Sequence, residues 1–183
     1  MLSVYRIRNA ISRPKYRTVI TGIFLFTVIA CGVGSILLSV EYLAVYDTAN
    51  KFLPHVTRLQ KEAPTPTTRL LTIDLLVSNN GTRIVHIYRY DVLVYIQNPD
   101  DPETFHQVYI REFHEDIFLQ PGQILVLHVM CLVEGGYAQR IIDAEDAGQL
   151  NWFILHPMRI FFGEWLNVRM SYLGTPWVGA EEV

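Results

Sequence analysis

The residues best suited to chemistry fall in one run, FHQVYIREFHEDIF, residues 105–118. His106, Glu112, His114, Glu115 and Asp116 mix imidazole nitrogen with carboxylate oxygen, the donor types that zinc and related ions accept. On an extended strand His106 and His114 share a face but lie about 26 Å apart. Only a sharp bend would let both hold one ion, so the expected state is an exposed polar strand and turn. His86 and His128 fall on apolar faces and are expected as hydrogen-bonded core residues. Cys131, inside MCLV, reads as a buried inert thiol. Cys31 lies in an apolar run where the two thiols cannot easily meet, so no disulfide is expected. No G-x-S-x-G elbow and no phosphate-cradling loop is present, and Gly135-Gly136 reads as a turn. Asp143, Glu145 and Asp146 read as the solvated face of a short helix. These residues predict neither catalysis nor a cofactor.

The elements that carry these residues begin with a sharp division of charge. The 183 residues hold 15 Lys+Arg against 18 Asp+Glu, and half of the chain is hydrophobic. Residues 1–17 contain Arg6, Arg8, Arg13, Lys15 and Arg17 and no acid, so the remaining chain is strongly acidic. Without a basic excess there, nucleic-acid binding is not expected. Only 2 Cys are present, which excludes a disulfide scaffold. From Thr18 to Val40 no side chain ionises apart from the Cys31 thiol. As a helix the apolar run spans about 33 Å, enough for a hydrocarbon core of about 30 Å. Tyr42 and Tyr46 follow where aromatic rings favour the interface. The expectation is a transmembrane helix over 18–46, its basic end 1–17 in the cytoplasm and the rest outside. A cleaved signal peptide fits less well, because the run is long and no A-x-A site follows it. Ala30 and Gly34 lie on one helix face, where a second helix can approach.

Residues 47–69 read as a stalk and linker, with Pro54 a late break and Pro64 and Pro66 stiffening EAPTPTTR. The period then becomes two. Leu71, Ile73, Leu75 and Val77 share one strand face. Ile84, Tyr88, Tyr90, Val92, Val94 and Ile96 share another. Further strands are expected over 105–112, 124–133, 150–156 and 166–173. Turn signals separate them at Asn79-Asn80-Gly81, Asn98–Pro102, Gln120–Gln123 and Gly135-Gly136. A short helix is expected over 137–148, stopped by Gly148. Short strands at such spacing predict a mainly β chain: one transmembrane helix, then an antiparallel Ig/fibronectin-like β-sandwich over 70–176 and a tail, 177–183.

LTIDLLVSNNGTRIVHIYRYDVLVYI resembles the opening of the late-embryogenesis-abundant group 2, or WHy-type, β-sandwich. There a hydrophobic strand ends in an Asn-containing turn, here Val77–Asn80, and the next runs into a Tyr-Asp-Val-like segment, here Tyr90–Val92. ILHPMRIFFGEWLNVRMSY is similar to the family's closing segment, with Gly163-Glu164-Trp165 as its Gly-x-Trp. The resemblance covers residues 70–173. It departs at Asn79-Asn80, where the family has Asn-Pro, and over 137–148. It implies a fibronectin-like sandwich without catalytic residues, often carried on one membrane helix. Archaeal pilin-like proteins also pair a helix with a sandwich, and Arg8–Ser12 faintly resembles their processing site. Arg13, Lys15 and Arg17 interrupt the apolar helix that such processing should leave.

Two further features bear on partners. Asn80-Gly81-Thr82 is an N-x-Thr acceptor in an expected hairpin turn, so Asn80 is a candidate glycosylation site. Ile160-Phe161-Phe162 is apolar at both parities, which makes Phe161, Phe162 and Trp165 a candidate partner surface. The expected function is a non-catalytic accessory subunit of a larger membrane complex, its partners being other integral membrane proteins and the bilayer. The alternatives are a stand-alone anchored binding module or a pilin-like filament subunit.

Overall fold

A computed structural model describes residues 14–162, 168–172 and 176–180. The chain divides into two units between Leu43 and Ala44. The apolar run forms helix α1, Pro14–Lys51. A window within Thr18–Lys51 has mean hydropathy 2.5 and none of it is buried in the protein, so the helix is long and apolar enough to cross a membrane. The Thr27 and Ser39 hydroxyls donate to the carbonyls of Ile23 and Ser35 one turn back, at 2.9 and 2.8 Å. These polar groups are thereby satisfied within the helix itself.

α1 outlasts the expected end at 46 by five residues. An i,i+4 pair between Asp47 and Lys51, 2.8 Å, supports its last turn. Pro54 then pushes Leu53 into extended backbone, and the helix stops. No linker follows. The expected stalk and linker over 47–69 is instead the end of α1, strand β1 (Phe52–Thr65) and the start of β2 (Thr68–Asn79). β1 and β2 pair antiparallel, with Thr65 opposite Thr68 across a two-residue loop. Pro66 occupies the turn position that its fixed φ suits. Pro54 and Pro64 are tolerated because β1 is an edge strand, where a missing N–H costs no ladder bond.

The other elements are β3 (Val85–Asn98), β4 (Asp101–Phe113), β5 (Ile117–Leu119), β6 (Ile124–Glu134), α2 (Gly135–Asp146), β7 (Asn151–Leu155), β8 (Met158–Phe162), β9 (Val168–Tyr172) and β10 (Trp177–Ala180). They form two sheets. The first has the order β1-β2-β6. In the second, β4 and β5 share one side of β3 while β7 and β8 share the other, with β10 beyond β7 and β9 beyond β8. All the pairings are antiparallel, so the expected mainly β, sandwich-like body is present. Gly122 (φ 77°) closes the Gln120–Gln123 turn and Gly148 (φ 67°) ends α2, both in left-handed backbone that glycine adopts without strain.

The core draws on both sheets. Leu71, Ile73, Leu75 and Val77 of β2 face Val92, Val94 and Ile96 of β3 and Trp152 and Ile154 of β7, all fully buried. Parity along β3 differs from the simple alternation. Val85 and Ile87 point inward, a bulge follows at Tyr88-Arg89, and Tyr90 is inward again. Ile84 and Tyr88 therefore leave the inward face, because one extra residue flips every side chain before it.

Candidate docking surface

The metal pair is not assembled. β4 stays extended, with His106 opposite Ile96 and His114 just past the strand's end, paired with Glu112 at 2.6 Å. Among the described residues no cluster of three or more His, Cys, Asp or Glu is placed to hold an ion. His106 lines a crevice of about 340 Å³ with Asn98, Asp100, Arg140 and Asp143. The histidines expected in the core lie outside it. His86 pairs with Asp116 and His128 with Asp74, each at 2.7 Å, on the outer sheet faces. Their strands read as apolar on both sides, which concealed the outward parity. The histidine that is buried is His156, between β7 and β8. Its Nε2 donates to the carbonyl of Pro54 at 3.2 Å, tying the second sheet to β1. Cys131 is buried, as expected, and desolvation pushes its thiol up to about 12, which leaves little thiolate at neutral pH.

His156 makes stability depend on pH. Burial lowers its pKa from 6.5, against a smaller upward pull from the Pro54 carbonyl and a further lowering by His55. Nδ1 has no partner, so a proton there charges a desolvated ring. Below pH 6.5 the unfolded chain takes up that proton first. Stability is thus full above that pH and declines as pH falls from there toward the lower folded value. Urea unfolding in detergent should show this decline in the native chain and a flatter profile in His156→Gln. Equal slopes for the two would remove His156 as the cause.

Glu145 is not on a solvated face. Its Oε2 accepts from Arg69 Nη2 at 2.9 Å and Nε at 3.3 Å, and its other oxygen pairs with Lys61. Arg69 is itself buried, so this cluster fastens α2 to the β1–β2 hairpin.

The Asn79-Asn80-Gly81 segment is not a hairpin. It carries the chain from β2 in one sheet to β3 in the other. A type I′ turn needs positive φ at both central residues, and among the described residues no non-glycine has it. Gly81 is required by space: a Cβ there would stand 2.4 Å from Thr48 Cα. Thr48, fully buried, accepts from the amides of Thr82 and Arg83 at 3.1 Å. Asn80 is exposed, as an acceptor must be, and its amide nitrogen bonds Ser78 Oγ at 3.4 Å.

The expected partner surface is divided. Phe162 is a core residue, 2% exposed and edge-on to Phe52 with ring centroids 6.1 Å apart. It shares inward parity with Ile160 on β8. Phe161 points outward and stacks on His86, which also stacks on Phe118. Trp165 lies outside the described residues. Ala30 and Gly34 sit one turn apart on α1, with open space where a Gly34 Cβ would project.

A contiguous apolar exposure outside α1 was not anticipated. On the outer face of β6, Ile124 (61%), Met130 (65%) and Leu132 (53%) are open, with Val126 beside them. Leu76 and Leu70 of β2 continue this face opposite Val126 and Leu132. The Asp74–His128 pair lies between the two apolar halves.

A single long apolar helix running into an antiparallel β-sandwich defines the class of this protein. No family model matches the chain, and no curated protein matches it. Solved structures with some likeness include the structural-genomics target SoR45, at 8% identity over 72% of this chain and 88% of that one, TM-score 0.49. A protein from Archaeoglobus fulgidus has 8% identity over 70% of this chain and 99% of that one, TM-score 0.40. A beta-glucuronidase from glycoside hydrolase family 2 has 12% identity over 75% of this chain and 14% of that one, TM-score 0.34. Likeness at this level bears on neither family nor activity.

Proposed function

We propose that this chain is a non-catalytic, single-pass accessory subunit of a larger membrane protein complex. In this reading α1 is a retained anchor with its basic end in the cytoplasm, and the sandwich lies on the other side. The observation that carries the proposal is the open apolar face of β6, on a chain that also has a helix apolar all round. Contiguous apolar exposure of this kind marks protein–protein contact on soluble domains. Ala30 and Gly34 offer a second contact, within the bilayer. The resemblance to WHy-type sandwiches fits a body without chemistry of its own.

A second reading, an anchored module that binds a soluble ligand, draws on the outward stack of Phe118, His86 and Phe161. Purification through a C-terminal tag in mild detergent separates the two. The accessory subunit travels with a stoichiometric set of membrane proteins in a particle much larger than 21.1 kDa. Recovery of the chain alone would overturn that reading in favour of the binding module.

A further inference from the structure

We infer that the free edge of β6 is a strand-addition site, and that its occupant is an extended segment of a different polypeptide with apolar residues at alternate positions. The inference rests on the accessory-subunit reading and names how the partner is held.

An open sheet edge presents unpaired N–H and C=O groups that template another strand, and proteins ordinarily blunt such edges with proline, charge, bulges or brevity. The other edges of this sandwich follow that rule. β1 carries Pro54, Pro64, Arg58 and Lys61 and a bulge after Val56. β4 carries Pro102, Arg111 and Glu112 and a register slip opposite Val94-Tyr95. β9, β10 and β5 are five, four and three residues long. β6 has none of these devices. It is 11 residues long, pairs with β2 without a bulge, and carries neither proline nor fixed charge before Glu134. Among the described residues its other side has no strand.

The occupant follows from what the edge offers. Its main chain needs a strand, and the outward residues Ile124, Val126, Met130 and Leu132 need apolar neighbours on the same face. Beside the edge, a cavity of about 200 Å³ opens between β4 and β6, lined by Val108, Tyr109, Leu132 and Val133 among others. An inward apolar side chain of an added strand would fill it.

A second copy of this chain does not fit. The inward side chains of a second β6, Val129, Cys131 and Val133, are already buried in that copy's own core, so they would leave this cavity unfilled. Symmetric parallel pairing would set like groups against like, N–H facing N–H.

The test is amide hydrogen exchange on the full chain, compared between the native particle in mild detergent and the same chain stripped of its partners. Protection of β2 in both samples certifies that the sandwich is folded. Exchange over 124–134 should be at least ten-fold slower in the particle, with β1 unchanged. Met130→Lys and Val126→Lys, at exposed positions, should cut co-purifying protein at least ten-fold, whereas Thr57→Lys on β1 should not. A particle in which 124–134 exchanges as fast as in the stripped chain would overturn strand addition and leave the accessory reading standing. A protected β6 in a particle holding only this chain would overturn the choice of occupant. Absence of any particle would overturn both proposals together.

Discussion

Asn79→Ala should lower the unfolding free energy by about 4 kcal/mol, because it strands several buried polar groups at once, each costing about 1–3 kcal/mol. Asn79 is fully buried where β2 passes to the other sheet. Its Nδ2 donates to the carbonyls of Arg83 and Leu119, at 2.8 and 3.0 Å, and its Oδ1 accepts from the Gly81 amide at 3.1 Å. Its own amide and carbonyl are bonded to Gln123 and Gly122. One side chain thus joins the ends of β2 and β5 and the entry to β3. Asn80→Ala is the control, since exposed positions usually change stability by less than about 0.5 kcal/mol. Chemical denaturation of both variants in detergent decides the matter. A loss below about 1 kcal/mol for Asn79→Ala would mean that water replaces the lost bonds in the vacated space.

Glu145→Ala should cost about 3 kcal/mol, at the low end for removing one partner of a buried ion pair. The low end applies because the Glu145 side chain keeps 20% exposure, so water relieves part of the loss. What remains is Arg69, 8% exposed, with its carboxylate partner gone. Arg69→Met with Glu145→Leu should cost much less than the two single changes added together, because neither half of the Arg69–Glu145 pair is left without the other. A double-mutant cycle measured by urea unfolding reads that difference. Simple additivity of the two changes would show that the pair is effectively solvated.

Much of the molecule is written in local pattern. The uninterrupted apolar run makes α1, its 23 residues without a fixed charge long enough to cross a membrane. Period-two runs and Asn, Pro and Gly punctuation mark most of β2 to β9, and Gly148 ends α2 as a left-handed residue should. β1 was not legible. Its prolines look like a linker, and only the edge position found in the sheet makes them compatible with a strand. The bulge at Tyr88-Arg89 was equally hidden, because an inserted residue changes parity without changing composition.

The candidate surface divides along the same line. Phe161 and Phe162 stand at opposite parities, so the sequence alone establishes that one faces out and the other in, but not which. Burial of Ile160 beside Phe162 in the core makes Phe161 the outward one. The run Ile124–Val133 is apolar at both parities, the pattern of a strand covered on both faces. Its composition by itself determines that it is a strand and that it has two faces to cover. Only the tertiary order β1-β2-β6 leaves this strand at an edge with one face open, because whether an apolar side chain is buried depends on which strands arrive beside it and not on its neighbours in sequence.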